Sequence, residues 1–190
     1  LFSATAAIFY VKVDVVNSGD TTIYFWYGNS ADSGNEDKTN VWVNGFRIYH
    51  FADNLNDSSS NASNGSMGSG DATYSTTSLT GGKSFEFNGS RYISYTGGLG
   101  ANSVWTVVAL HKNDVTNTDN VVWGEGTNST NEYHSIFTGA LSTNSMYTRY
   151  RDGSATDGVN IGAYETTDWQ HLVWSKTSTT NQVVYIDAVS

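Results

Sequence analysis

Val41-Trp-Val-Asn-Gly-Phe-Arg-Ile-Tyr-His-Phe51 runs into the polar segment Asp53-Asn-Leu-Asn-Asp-Ser-Ser-Ser-Asn-Ala-Ser-Asn-Gly65, and Gly82-Lys-Ser-Phe-Glu-Phe-Asn-Gly-Ser-Arg-Tyr-Ile93 follows. Short runs of β-branched and aromatic residues, each closed by Gly, Asn, Ser or Asp, read as strands joined by turns. Asn, Ser, Thr and Gly dominate the polar positions of the chain. Their short side chains compete with the helical backbone for hydrogen bonds, so almost no helix is expected.

Working outward, Phe9-Tyr-Val-Lys-Val-Asp-Val15 alternates, with Phe9, Val11, Val13 and Val15 on one face and Tyr10, Lys12 and Asp14 on the other. Asn17-Ser-Gly-Asp20 supplies a turn, and Thr21-Thr-Ile-Tyr-Phe-Trp-Tyr27 returns as an aromatic strand, which predicts an antiparallel hairpin. Further strands are predicted at Val41–Asn44, Arg47–Phe51, Lys83–Asn88, Tyr92–Tyr95, Val104–His111, Asn120–Gly124, His134–Thr138, Ser145–Arg151, Val159–Ala163, Gln170–Lys176 and Gln182–Ala188. Many short strands separated by turn residues are the pattern of an antiparallel β-sandwich or jelly roll. The chain has no proline, a residue that would interrupt central strands.

Composition narrows the partners. The chain has 190 residues, of which 38% are hydrophobic and 14% aromatic, enough for one good core or two small ones. Its net charge is −9, and no Lys/Arg cluster exceeds two neighbours, so nucleic acid and anionic lipid surfaces are repelled on average. No run of about 18 apolar residues is present that could insert in a membrane. With no cysteine there are neither disulfides nor thiolate metal sites. Leu1-Phe-Ser-Ala-Thr-Ala-Ala7 lacks a basic leader region and an initiator Met, and Gln182–Ala188 closes without a turn, so both ends read as cuts through a longer polypeptide.

The polar segment 28–40 has no apolar periodicity and marks a boundary. Residues 1–40 are expected to be the C-terminal strands of an upstream β-domain plus a linker, because two strands bury no core alone. Residues 41–190 are expected to be one β-sandwich.

From Arg47 onward the chain resembles the laminin-G-like, concanavalin-A-like jelly-roll family. Tyr49-His-Phe51 is similar to its opening aromatic strand, and Asp57-Ser-Ser-Ser-Asn-Ala-Ser-Asn-Gly65 to its Asp-Ser-Ser-Gly-Asn-Gly-Asn loop. Gly82-Lys-Ser-Phe-Glu-Phe-Asn-Gly89 resembles its Gly-x-Ala-x-x-Phe-Asp-Gly strand, and Val104-Trp-Thr-Val-Val-Ala109 its Phe-Thr-Val-Ser-Ala-Trp strand. Asp168-Trp-Gln-His-Leu-Val173 looks like its Trp-His-His-Val-Ala strand, and Val183-Val-Tyr-Ile-Asp187 like its Leu-Tyr-Val-Asp-Gly strand, with Ala188 in place of the glycine. Val11-Lys-Val13 and Ile23-Tyr-Phe-Trp-Tyr-Gly-Asn29 resemble the end of a domain of unknown function that stands upstream of such jelly rolls in prokaryotic surface proteins. The resemblance implies an all-β, laminin-G-like antiparallel β-sandwich (jelly roll), truncated at its C-terminus, with an N-terminal β-hairpin from a preceding β-domain. It also implies an extracellular, cell-surface or virion-surface setting.

Related jelly rolls include glucanases with facing carboxylates, but no Glu-x-Asp-x-x-Glu spacing occurs here. Glu125 and Glu132 flank a polar connection, and His50, His111, His134 and His171 belong to no local triad motif, so no enzymatic activity is expected. Calcium is the cofactor to expect, with Asp57, Asn61 and Asn64 of the polar loop and Asp187 of the last strand as its oxygen ligands. The same residues also make an ordinary ion-free loop of Asx turns.

Trp105, Trp169, Trp174, Phe85 and Phe87 are assigned to the core. Trp123, Tyr133, His134, Tyr147, Arg149 and Arg151 are assigned to a ligand face, since Tyr147-Thr-Arg-Tyr-Arg151 puts alternate residues on one side, where aromatic rings stack sugars and arginines hold hydroxyls. A solvated strand with cross-strand stacking has the same pattern. Asn56, Asn61, Asn64, Asn88 and Asn128 begin sequons. The function expected is a non-catalytic extracellular module for adhesion or carbohydrate recognition, with a glycan or neighbouring protein subunits as partners. The alternatives are a structural subunit of a filament, surface layer or capsid, and an accessory domain of a polysaccharide-degrading enzyme.

Overall fold

A computed structural model of the chain describes residues 9–13, 21–25, 31, 37–79, 82–99, 104–114, 120–126, 133–138, 146–152, 155–162, 164, 166–178 and 181–187. The described structure is all-β apart from one short helix, its paired strands are antiparallel, and it divides into two compact units, Leu1–Thr96 and Gly97–Ser190. The linker expected at 28–40 lies largely outside the described residues.

In the first unit, α1 (Lys38–Val41) occupies part of the segment expected to be a strand at Val41–Asn44. The Asp37 side chain accepts from Asn40 N at 3.1 Å, and Trp42 N donates to Lys38 O at 3.1 Å. An N-cap and one closed turn therefore override the β-propensity of Val41 and Trp42. Arg47–Phe51 contributes only an isolated bridge, Tyr49 to Asp57. β1 (Ser66–Ser69) pairs with β4 (Tyr92–Ser94), and β2 (Tyr74–Ser75) with β3 (Ser84–Phe85).

Phe85 is the buried hydrophobic side chain among the described residues of this unit, with Phe51 at 5.8 Å, Tyr74 at 5.6 Å and Phe87 at 4.6 Å between ring centroids. Phe87, expected inside, is 53% exposed and only flanks Phe85. It lies beyond the two-residue pairing of β3. The hairpin expected over 9–27 has no ladder among its described residues, although the Phe9 and Phe25 rings lie 4.5 Å apart.

The second unit is built from two sheets. One has the order β11 (Gln182–Ile186), β10 (Gln170–Lys176), β5 (Trp105–His111), and the other runs β6 (Asn120–Gly126), β7 (Tyr133–Thr138), β8 (Met146–Asp152), β9 (Ala155–Gly162). Trp105, Leu172, Trp174 and Ile186 of the first sheet and Ile136 and Met146 of the second are buried in one cluster. Two antiparallel layers thus share an apolar interior, the arrangement that hides one face of each sheet.

The alternation of β10 places Gln170, Leu172, Trp174 and Lys176 on the buried side. Register sets His111, Ala109, Val107 and Trp105 opposite them. The apolar middle of this core face therefore has polar ends, Lys176 at one and the His111–Gln170 pair at the other. Trp169, expected in the core, is half-buried and outside the cluster.

Candidate functional site

The polar loop is organised by one carboxylate. Asp57 is 3% exposed. Its Oδ1 accepts from Ile48 N at 2.9 Å and Ser59 N at 2.8 Å, and its Oδ2 from Ser59 Oγ at 2.7 Å and Ser63 N at 3.0 Å. Four donors meet the roughly four lone-pair positions of a carboxylate. Asn64 Oδ1 accepts from Asp57 N at 2.9 Å, and Asn61 Nδ2 donates to Phe46 O at 2.9 Å. Burial raises the Asp57 pKa, but the four hydrogen bonds outweigh it and hold the group below the ordinary carboxylate range.

Asp57, Asn61 and Asn64 thus stand together, binding this loop to the segment 46–48. Asp187 belongs to the second unit, where its Oδ1 accepts from His171 N at 2.9 Å. Among the described residues, no group of three or more His, Cys, Asp or Glu could hold a metal ion. The neutral Asn and backbone oxygens of a calcium loop fall outside that count.

On β8, Met146 and Thr148 are buried while Tyr147 and Arg149 are half-buried, so the alternation expected for this strand holds over those four residues. The Arg149 guanidinium lies 5.8 Å from the Tyr147 ring centroid. Arg149 pairs in register with Gly158 of β9, and the Tyr147 phenol spreads diagonally across that glycine, where any Cβ would collide with it. A glycine in an edge strand here makes room for a ring to lie along the sheet.

Tyr133 pairs with Arg151, Ser135 with Arg149 and Phe137 with Tyr147, so by alternation Tyr133 and Arg151 share a face with Tyr147 and Arg149. His134 pairs with Tyr150 in the alternate rows, those of Ile136 and Thr148. The side chains of Tyr133, His134 and Arg151 lie outside the described residues.

Trp123 is placed differently from the expectation. A bulge between Val121 and Trp123 sets Trp123 opposite Ile136 and thus on the core side. Its ring packs 6.1 Å from both Trp105 and Trp174, which themselves meet edge to face at 4.8 Å. The expected ligand face is therefore reduced, among described side chains, to Tyr147 and Arg149.

A second aromatic group went unread. The rings of Tyr10, Trp42 and His50 lie 5.1–5.8 Å apart. Tyr10 is 49% exposed and His50 is exposed, while Trp42 is half-buried. Partial burial against its neighbours pushes the His50 pKa below the usual histidine value. Alternation over Phe9–Val15 places Tyr10 on the solvated face of a strand, and no local pattern links positions 10, 42 and 50.

No family model, curated protein or solved structure matches this chain.

Proposed function

We propose that this chain is a non-catalytic extracellular module of the laminin-G-like jelly-roll type, serving carbohydrate recognition or adhesion within a larger surface or virion protein. The observation that supports this reading is the β8–β9 face, where the Tyr147 phenol occupies the space over Gly158 with the Arg149 guanidinium 5.8 Å from its ring. A tyrosine ring at a sheet surface can stack on a sugar, and a guanidinium beside it is the kind of group that bonds hydroxyl oxygens. The low charge and net −9 favour a neutral ligand over an acidic one.

The test is calorimetric titration of the chain with neutral oligosaccharides (cellohexaose, xylohexaose, chitohexaose), repeated with Tyr147→Ala and Arg149→Ala. Binding weakened about ten-fold in each variant supports the reading, since a stacked ring is worth about 1 kcal/mol or slightly more. Affinity unchanged in both variants contradicts it.

A structural role is the second reading, and one observation favours it. On the outer face of the three-stranded sheet Val104 is 71% and Val108 60% exposed, with Leu110 and Tyr185 also exposed. Exposed apolar side chains on a sheet face, here interspersed with Thr106, Ser175 and His171, suit contact with neighbouring subunits.

A further inference from the structure

We propose that Tyr10, Trp42 and His50 form a second carbohydrate contact, selective for a neutral pyranose whose hydroxyls are equatorial. The inference rests on the reading of the chain as a glycan-recognition module and adds a site and a ligand class to it.

The three rings hold one another, with centroids 5.2 Å apart for Tyr10–Trp42, 5.1 Å for Tyr10–His50 and 5.8 Å for Trp42–His50, tilted by 54°, 37° and 46°. Two of them sit on anchored backbone. Trp42 N is bound to Lys38 O at the end of α1, and His50 follows Tyr49, whose hydroxyl donates to Ser63 O at 2.6 Å. The geometry therefore exists before a ligand arrives, which lowers the ordering cost of binding.

The chemistry of the rings selects the occupant. Each couples a π face to a polar edge: a phenol hydroxyl, an indole N–H, and an imidazole with one donor and one acceptor when neutral. A purely aliphatic partner would strip water from those edges and leave their donors and acceptors unsatisfied. A pyranose with equatorial hydroxyls presents the complementary form, an apolar face of axial C–H bonds ringed by hydroxyls. The net charge of −9 turns away uronates and sulfated sugars.

The experiment is tryptophan-fluorescence titration of the full chain with cellohexaose, xylohexaose and chitohexaose, and with an alginate hexamer as the acidic counterpart. Tyr10→Ala, Trp42→Ala and Tyr147→Ala are each confirmed as folded by circular dichroism. Expected is a neutral oligosaccharide bound more tightly than alginate, and an affinity about ten-fold weaker in Tyr10→Ala and Trp42→Ala. Should Trp42→Ala not fold, the half-exposed Tyr10 decides alone. Wild-type affinity in Tyr10→Ala with a loss in Tyr147→Ala overturns this site and leaves the module reading standing. Alginate bound more tightly overturns the ligand class, and no binding of any neutral oligosaccharide overturns both.

Discussion

At the scale of single residues, Asp57 does the most. It joins 48, 59 and 63 through one side chain, and its acidity is set by the contest between burial and four donors. Because the folded pKa is depressed, the associated stability is fully present above the unfolded value of about 3.9 and is lost as pH falls through the folded pKa. Asp57→Asn replaces one acceptor oxygen by a donor facing donors. Urea unfolding at pH 7 is expected to show it about 2–3 kcal/mol less stable, with a flatter loss of stability between pH 5 and 3 than the wild type. The loop's sequence made its oxygen-rich character legible; that backbone N–H groups reach Asp57 depends on chain reversals at Phe51, Asp53 and Ala62, which take positive φ values of 55°, 61° and 47° without glycine to announce them. Gly158 tests the other face. Gly158→Val is expected to displace Tyr147 and lower stability by about 1–3 kcal/mol in thermal melts, while Gly158→Ser, smaller but still bearing a Cβ, has a lesser effect of the same sign.

Elements were legible in proportion to how much of their pattern is local. β10 coincides at both ends with the strand expected at Gln170–Lys176, a short run with an apolar centre bounded by turn residues. Trp105, which falls in a strand motif of the resembled family, and Trp174 are expected in the core, and both are there. Trp123 is not expected there, because one extra residue at the β6 bulge moves it to the opposite side of the sheet, and a bulge leaves no mark in the period-two pattern. Phe87, expected in the core with Phe85, is 53% exposed. β5 and β10 also end on a polar pair. Both ring nitrogens of His111 and Oε1 of Gln170 are shut off from solvent, with no hydrogen-bond partner among the described residues. Burial pushes the His111 pKa down, partly offset by Asp187. A depressed histidine favours its neutral form in the fold, so its stabilising share is complete above about pH 6.5 and declines as pH falls through the folded value. Thermal melts from pH 7.5 to 5 are expected to show this decline in the wild type and to lose part of it in His111→Gln.

For the molecule as a whole, the seven strands β5–β11 close a sandwich around three tryptophans, with an uncovered apolar sheet face outside it. Trp174→Ala empties the centre and is expected to cost about 3–5 kcal/mol in urea unfolding. Val108→Lys on the outer face touches no core contact, so sedimentation at increasing concentration separates the two readings of function: self-association abolished by the lysine favours the structural subunit, and a monomer with or without it favours the recognition module. On the proposed reading, neutral glycans meet this chain on partly exposed rings held by antiparallel sheet and anchored loop. The most direct test of that reading is a two-dimensional amide NMR titration of the full chain with cellohexaose. Shifts clustered at Tyr147, Arg149 and Gly158, with a second cluster at Tyr10, Trp42 and His50, are the expected result. A spectrum unmoved at millimolar sugar, or shifts confined to residues remote from both groups, would contradict it.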